Sequence, residues 1–159
     1  MDRKVKGLTL MELLITIAIL LILSSFAFLW LRNLVLNQRL KATTDGLMSA
    51  YETARLYAIT GRGQRPWGVF ISGNTYTLFR DDNSNCQFDP GEGIRVFNTE
   101  PGVSFLPESG CGTITFDKKG YPRRSTCGLG MCSVVLQNSI GSKRIVYIDR
   151  FGRIRYETQ

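Results

Sequence analysis

From Leu8 to Leu31 the chain is an almost unbroken apolar run, and Glu12 is its only charge. About 20 apolar residues suffice to carry a helix across a bilayer, so the run is long enough to span one. Beyond it the pattern becomes amphipathic. Leu40, Leu47, Tyr51, Ala54 and Ala58 recur at spacings of seven, four, three and four, which places them on one helical face. Arg39, Lys41, Asp45, Glu52 and Arg55 mostly fall on other faces. Gly61-Arg62-Gly63 is a strong stop signal. The pattern predicts one helix from about Leu8 to Thr60, its first half in lipid and its second half packed on a domain. Gly46 is a weak point in that helix, because glycine costs about 1 kcal/mol in a helix interior.

From Trp67 onward the period shortens to two. Strands are expected at Trp67–Ser72, Thr75–Arg80, Gly93–Asn98, Val103–Leu106, Thr113–Asp117, Ser133–Gln137, Lys143–Asp149 and Arg153–Glu157. Gly73-Asn74 reads as a tight hairpin turn. Short strands at this spacing indicate an antiparallel sheet or a two-sheet sandwich covered by the apolar helix face. The fold class is therefore α+β, with no internal repeat and no low-complexity linker.

The chain has 159 residues and a net charge of +7. An anchor of about twenty residues leaves enough chain for one modest domain. Arg3, Lys4 and Lys6 precede the apolar run, and a positive leader favours a cytoplasmic N-terminus. The folded part then lies across the inner membrane, in the periplasm of a Gram-negative cell. Four cysteines, Cys86, Cys111, Cys127 and Cys132, suit that oxidising compartment. They allow three pairings. Cys127 and Cys132 flank Gly-Leu-Gly-Met and are expected to close a short hairpin, which leaves Cys86 with Cys111. Zinc is the weaker reading, because the spacings are irregular and there is no His. Without His there is no His-dependent triad or Cys–His pair, and no nucleophile signature or phosphate-binding loop is present. An enzyme is not expected.

Gly7-Leu8-Thr9-Leu10-Met11-Glu12 opens the apolar run. A secretory signal would carry its cleavage site after its apolar core, whereas here the glycine precedes it. A carboxylate five residues into the retained helix costs about 2.5–3.5 kcal/mol on insertion scales, and such a charge is usually paired. This segment resembles the class III leader of type IV pilins and type II secretion pseudopilins. The resemblance implies cleavage after Gly7 by a prepilin peptidase, N-methylation of Leu8, and pairing of Glu12 with the N-terminus of a neighbouring subunit during filament assembly. Leu8 stands where Phe is common, and Met11 where Ile or Val is usual. The expected organisation is a leader at 1–7, a transmembrane half-helix at 8–31, an amphipathic half-helix at 32–61 and a periplasmic β-rich domain at 62–159.

Three downstream features narrow the resemblance. They are Ala54-Arg55-x-x-Ala58, the loop from Asp82 to Asp89-Pro90-Gly91-Glu92, and the ending Ile145-Val146-Tyr147-Ile148-Asp149-Arg150-Phe151-Gly152-Arg153-Ile154-Arg155. Together they are similar to the GspH/FimT family of minor pilins and pseudopilins. GspH-like members are structural tip subunits of the secretion pseudopilus. Some FimT-like members bind DNA during uptake through a C-terminal Gly-Arg-x-Arg motif, which Gly152-Arg153-Ile154-Arg155 matches. The resemblance thus implies other pilins or pseudopilins as partners, and double-stranded DNA in the FimT-like version.

Charge supports the DNA reading independently. Residues 113–159 carry nine Lys and Arg against three acids, whereas residues 61–112 carry four Arg against six acids. In a strand Arg153 and Arg155 point to one face, and guanidiniums bind phosphate bidentately. Arg150, Lys143 and Arg144 are the expected auxiliaries. The competing reading is a charged sheet edge protected from aggregation.

The segment from Asp81 to Glu92 also has calcium-loop spacing. Asp81, Asn83, Asn85, Asp89 and Glu92 fall at positions 1, 3, 5, 9 and 12, with the Gln87 carbonyl at position 7. Cys86 stands where the turn wants Gly. A polar hairpin tip explains the same composition without an ion.

Overall fold

The computed structural model describes residues 9–107 and 110–158, apart from the side chains at 26, 27 and 29. Gly7 and Leu8, with the whole of 1–7, lie outside the described residues. One helix, α1, runs from Leu10 to Ile59. The chain forms two compact units, residues 1–35 and 36–159.

The first unit is the apolar part of α1, long and apolar enough to cross a membrane. Its start is a capping box. The Glu12 amide donates to Thr9 Oγ1 at 3.2 Å, and the Thr9 amide donates to Glu12 Oε2 at 3.1 Å. Thr16, Ser24 and Ser25 donate their hydroxyls to the carbonyls of Leu13, Leu20 and Leu21. Polar groups satisfied within the helix are compatible with lipid.

The second unit packs the rest of α1 on two antiparallel sheets. Nine strands follow: β1 Trp67–Ser72, β2 Thr75–Arg80, β3 Gly93–Asn98, β4 Val103–Phe105, β5 Thr113–Phe116, β6 Pro122–Arg124, β7 Cys132–Asn138, β8 Lys143–Ile148 and β9 Ile154–Thr158. One sheet has the order β3-β2-β1-β5-β6, the other β4-β7-β8-β9. All five predicted face residues of the helix are at most 2 % exposed. They pack in one core with Val69, Ile114 and Phe116 of the first sheet and Val134, Leu136, Val146 and Ile148 of the second. Full burial of a residue such as Leu47 contributes about 1.5–3 kcal/mol.

Glycines shape this packing at a few points. Gly61 ends the helix with a left-handed φ of 69°. Gly73 has a φ of 56° in the two-residue β1–β2 turn, and Ser72 pairs with Thr75 across it. α1 runs through Gly46 unbroken. A Cβ there would lie 2.6 Å from the Tyr76 hydroxyl. The glycine lets the helix approach the sheet closely.

The disulfides correct the expected pairing of Cys86 with Cys111 and Cys127 with Cys132. Cys86 is bonded to Cys127, with Cα atoms 5.3 Å apart, and Cys111 to Cys132, at 5.8 Å. Cys127 and Cys132 do not flank a hairpin. The chain turns at 124–128 and runs back along β6, with the Gly130 amide bonded to the Pro122 carbonyl. That leaves Cys127 at a turn tip beside the 81–92 loop, where Gln87 Nε2 donates to the Ser125 carbonyl. Cys132 opens β7 in the other sheet, so its bond to Cys111, just before β5, ties the two sheets together.

Candidate nucleic-acid interface

Two turns of the same design carry much of the C-terminal charge. Asp117-Lys118-Lys119-Gly120 joins β5 to β6, and Asp149-Arg150-Phe151-Gly152 joins β8 to β9. In each, the Asp carbonyl accepts from the Gly amide, at 2.8 and 2.9 Å. In each, the carboxylate accepts from the amides two and four residues on. Asp117 Oδ1 takes the amides of Lys119 and Tyr121, both at 2.9 Å. Asp149 Oδ1 takes those of Phe151 at 2.8 Å and Arg153 at 2.9 Å. Each Gly has a left-handed φ, 80° at Gly120 and 77° at Gly152. Asp accepting from its own downstream amides and Gly supplying positive φ are the residue choices this turn requires.

The second carboxylate oxygen of each Asp meets an arginine. Asp117 Oδ2 lies 2.8 Å from Arg123 NH2, and Asp149 Oδ2 lies 3.4 Å from Arg153 Nε. Burial works to raise the Asp117 carboxyl, but the Arg123 guanidinium and the two amides outweigh it and hold it below its usual range. Asp149 is also held low, chiefly by the Arg153 amide, with the Phe151 amide and the charges of Arg153 and Arg155 acting the same way.

Arg55 of α1 holds the two turns side by side. Its Nε donates to the Gly120 carbonyl and its NH2 to the Phe151 carbonyl, both at 3.3 Å. A Cβ on Gly152 would overlap the Gly120 carbonyl oxygen. Gly152 therefore serves contact between the turns, while Lys118, Lys119, Arg150, Arg153 and Arg155 are exposed.

Arg155 lies opposite Tyr147 on β8, its guanidinium 6.0 Å from the ring centre. With Arg124, Ser133 and Asp149 it lines an open cleft of about 330 Å³. β9 is an edge strand of its sheet, so the edge-protection reading and the binding reading share this observation.

Lys143 and Arg144 are elsewhere. They begin β8, whose other end carries Asp149 and Arg150. They share a cleft with Asn37 and Leu40, and Asn138 Nδ2, at the end of β7, donates to Asn37 Oδ1 at 2.9 Å. Asn37 and Arg55 are 18 residues apart on α1, or about 27 Å along the helix. Of the three expected auxiliaries, Lys143 and Arg144 thus sit at the opposite pole from Arg150, Arg153 and Arg155.

The 81–92 loop is a hydrogen-bonded turn. Asp81, fully buried, accepts from the amides of Asn85 and Cys86. Glu92 accepts from the amides of Asp82 and Asp89, and Asp89 from the side chains of Asn83 and Asn85. Among the described residues no group of three or more His, Cys, Asp or Glu is arranged to hold an ion. The oxygens that matched calcium spacing instead satisfy the loop's own donors, and the Cys86–Cys127 bond fixes the loop to the 124–128 turn.

The leader and the domain both match known families. Residues 2–28 match the prokaryotic N-terminal methylation motif, and residues 43–150 match the model described as type II transport protein GspH. The chain belongs to the GspH/FimT family of minor pilins and pseudopilins. The domain match ends at Arg150, so Gly152, Arg153 and Arg155 lie beyond it. Among relatives of the family member, Pilin-like protein PilA1 of Thermus thermophilus is 32% identical over 96% of this chain and 98% of its own length. Two solved structures share the fold. The type IV minor pilin FimU of Pseudomonas aeruginosa superposes with a TM-score of 0.58 at 15% identity, covering 76% of this chain and 90% of FimU. The minor pseudopilin EpsH of the Vibrio cholerae type 2 secretion system gives 0.52 at 11% identity, covering 74% and 95%. Family membership implies association with other pilins, and the methylation motif points to a prepilin peptidase as processing partner.

Proposed function

We propose that this family member is a FimT-like minor pilin that binds double-stranded DNA for uptake. It is cleaved after Gly7, methylated at Leu8 and anchored in the inner membrane by residues 8–31, with its domain in the periplasm. Glu12 joins a neighbouring subunit's N-terminus in the filament, exchanging its local contacts to Thr9 for that pairing. Arg153 and Arg155 hold DNA phosphates, Arg150 adds charge from the same turn, and Gly152 shapes that turn.

The observation that carries the reading is the position of Arg153, whose side chain is 78% exposed although it follows directly on a turn fixed by Asp149. A hydrogen-bonded turn presenting exposed guanidiniums suits contact with phosphates, which is sequence-tolerant and strongly salt-dependent. The test is equilibrium binding of a labelled duplex to the full chain in uncharged detergent, beside R153A/R155A. Salt-sensitive binding that is lost in the folded variant supports the reading. Equal binding by both proteins, or none by either, refutes it.

A second reading is a structural minor pseudopilin of a type II secretion system, in which these arginines only protect the β9 edge. The match to the GspH model is equally consistent with it, and the failure of DNA binding in the same experiment would leave it standing.

A further inference from the structure

The DNA reading uses one of the two twin turns. We infer that the β5–β6 turn is a second phosphate-binding arm of the same interface, with Lys118 and Lys119 contacting the duplex beside Arg150 and Arg153. This inference rests on the proposed DNA binding and extends it to residues outside the Gly-Arg-x-Arg motif.

Three observations bring the arms together. The first is their shared construction. Both turns use Asp at the first position and a left-handed Gly at the fourth, with the same amides bonded to the carboxylate. The two central residues of each are therefore thrust outward in the same way. In the β8–β9 turn they are Arg150 and Phe151, and in the β5–β6 turn both are lysines.

The second is proximity. One guanidinium, that of Arg55, reaches a carbonyl in each turn, and Gly152 leaves no room for a Cβ against the Gly120 carbonyl. Two tips in contact present their cations to the same stretch of ligand. Duplex DNA offers one phosphate per about 3.4 Å on each strand, so neighbouring arms meet neighbouring phosphates.

The third is the local balance of charge. Within the turn segments 117–124 and 149–155, Lys118, Lys119, Arg123, Arg124, Arg150, Arg153 and Arg155 face only Asp117 and Asp149. Both carboxylates are already engaged by turn amides and by Arg123 and Arg153. Lys118 and Lys119 are exposed, and truncating their side chains leaves the turn's backbone amide donors in place.

The experiment measures binding of a short labelled duplex by the full chain in uncharged detergent across a salt series. It compares the unaltered protein with K118A/K119A, K118R/K119R and R153A/R155A, each checked for an unchanged unfolding midpoint. Each lost phosphate contact lowers the log–log salt slope by about 0.9, so K118A/K119A is expected to lower it by about 1.8. Its affinity falls at every salt concentration, and K118R/K119R restores both. A K118A/K119A protein that keeps the original slope and affinity, while R153A/R155A loses binding, overturns the second arm and leaves the DNA reading intact. No binding by the unaltered chain overturns both.

Discussion

Gly152→Ala tests whether the glycine of the Gly-Arg-x-Arg motif serves the fold or the ligand. Its φ is 77°, where an L residue pays about 1–2 kcal/mol. An alanine Cβ would also overlap the Gly120 carbonyl oxygen and lie 2.9 Å from Arg55 Nε. Neither neighbour yields readily, because the oxygen is backbone and Arg55 is bonded to both turns. Overpacking of this kind adds about 1–3 kcal/mol. The expected loss is thus about 2–5 kcal/mol in all. Gly61 supplies the control. Its φ is 69°, but nothing lies within 4 Å of the Cβ position. Gly61→Ala should lose only the conformational part, about 1–2 kcal/mol. Urea unfolding of the compact unit 36–159 reads both as midpoint shifts at constant slope. Equal midpoints for the two variants would refute the idea that Gly152 is required by contact between the turns.

Other expectations follow from the same geometry. Peptide mapping of oxidised protein should recover Cys86 linked to Cys127 and Cys111 linked to Cys132; a Cys127–Cys132 peptide would contradict the placement of β6 and β7. Asp117 and Asp149 are held below the usual carboxylate range, so the stability they add is present above it and lost as pH falls through their lowered values. The unfolding midpoint should hold from neutrality to about pH 5 and drop below about pH 4, with a shallower drop in D117N/D149N; an unchanged profile would remove the carboxylates from the explanation. Gly46→Ala should destabilise by up to about 2 kcal/mol, because strain of about 1–3 kcal/mol against Tyr76, which is 4% exposed and stacked on Phe97, outweighs the helix-propensity gain of about 1 kcal/mol. A gain in thermal stability would show that Tyr76 moves aside.

The sequence pattern made the helix legible because its second half buries one face, and most strands legible as short apolar-rich runs between turns. Leu40, Leu47, Tyr51, Ala54 and Ala58 had to meet the sheets, and they do. β1, β2 and β3 have the expected bounds, and the remaining predicted strands differ by one residue at one or both ends. β6 was illegible, since Pro122-Arg123-Arg124 has no apolar alternation and is defined by its pairing with β5 and with the returning segment at Leu129. Disulfide pairing depends on which turns and sheets face each other, so the short Cys127–Cys132 spacing pointed the wrong way. The twin turns share only an Asp and a Gly at fixed spacing, too little to register as a repeat until both were seen against Arg55. Charge counted along the chain also misled at Lys143 and Arg144. They are near Arg150 in sequence, but an extended strand separates them.

The central claim is that DNA is held at one pole of the domain and not by net charge alone. The most direct measurement compares duplex binding by R153A/R155A with that by K143A/R144A, since each variant removes two cations. The account expects binding to collapse when Arg153 and Arg155 are lost and to stay within about twofold when the far pole is changed, the small residue reflecting long-range field alone. Equal losses in both variants, or a larger loss at Lys143 and Arg144, would contradict it.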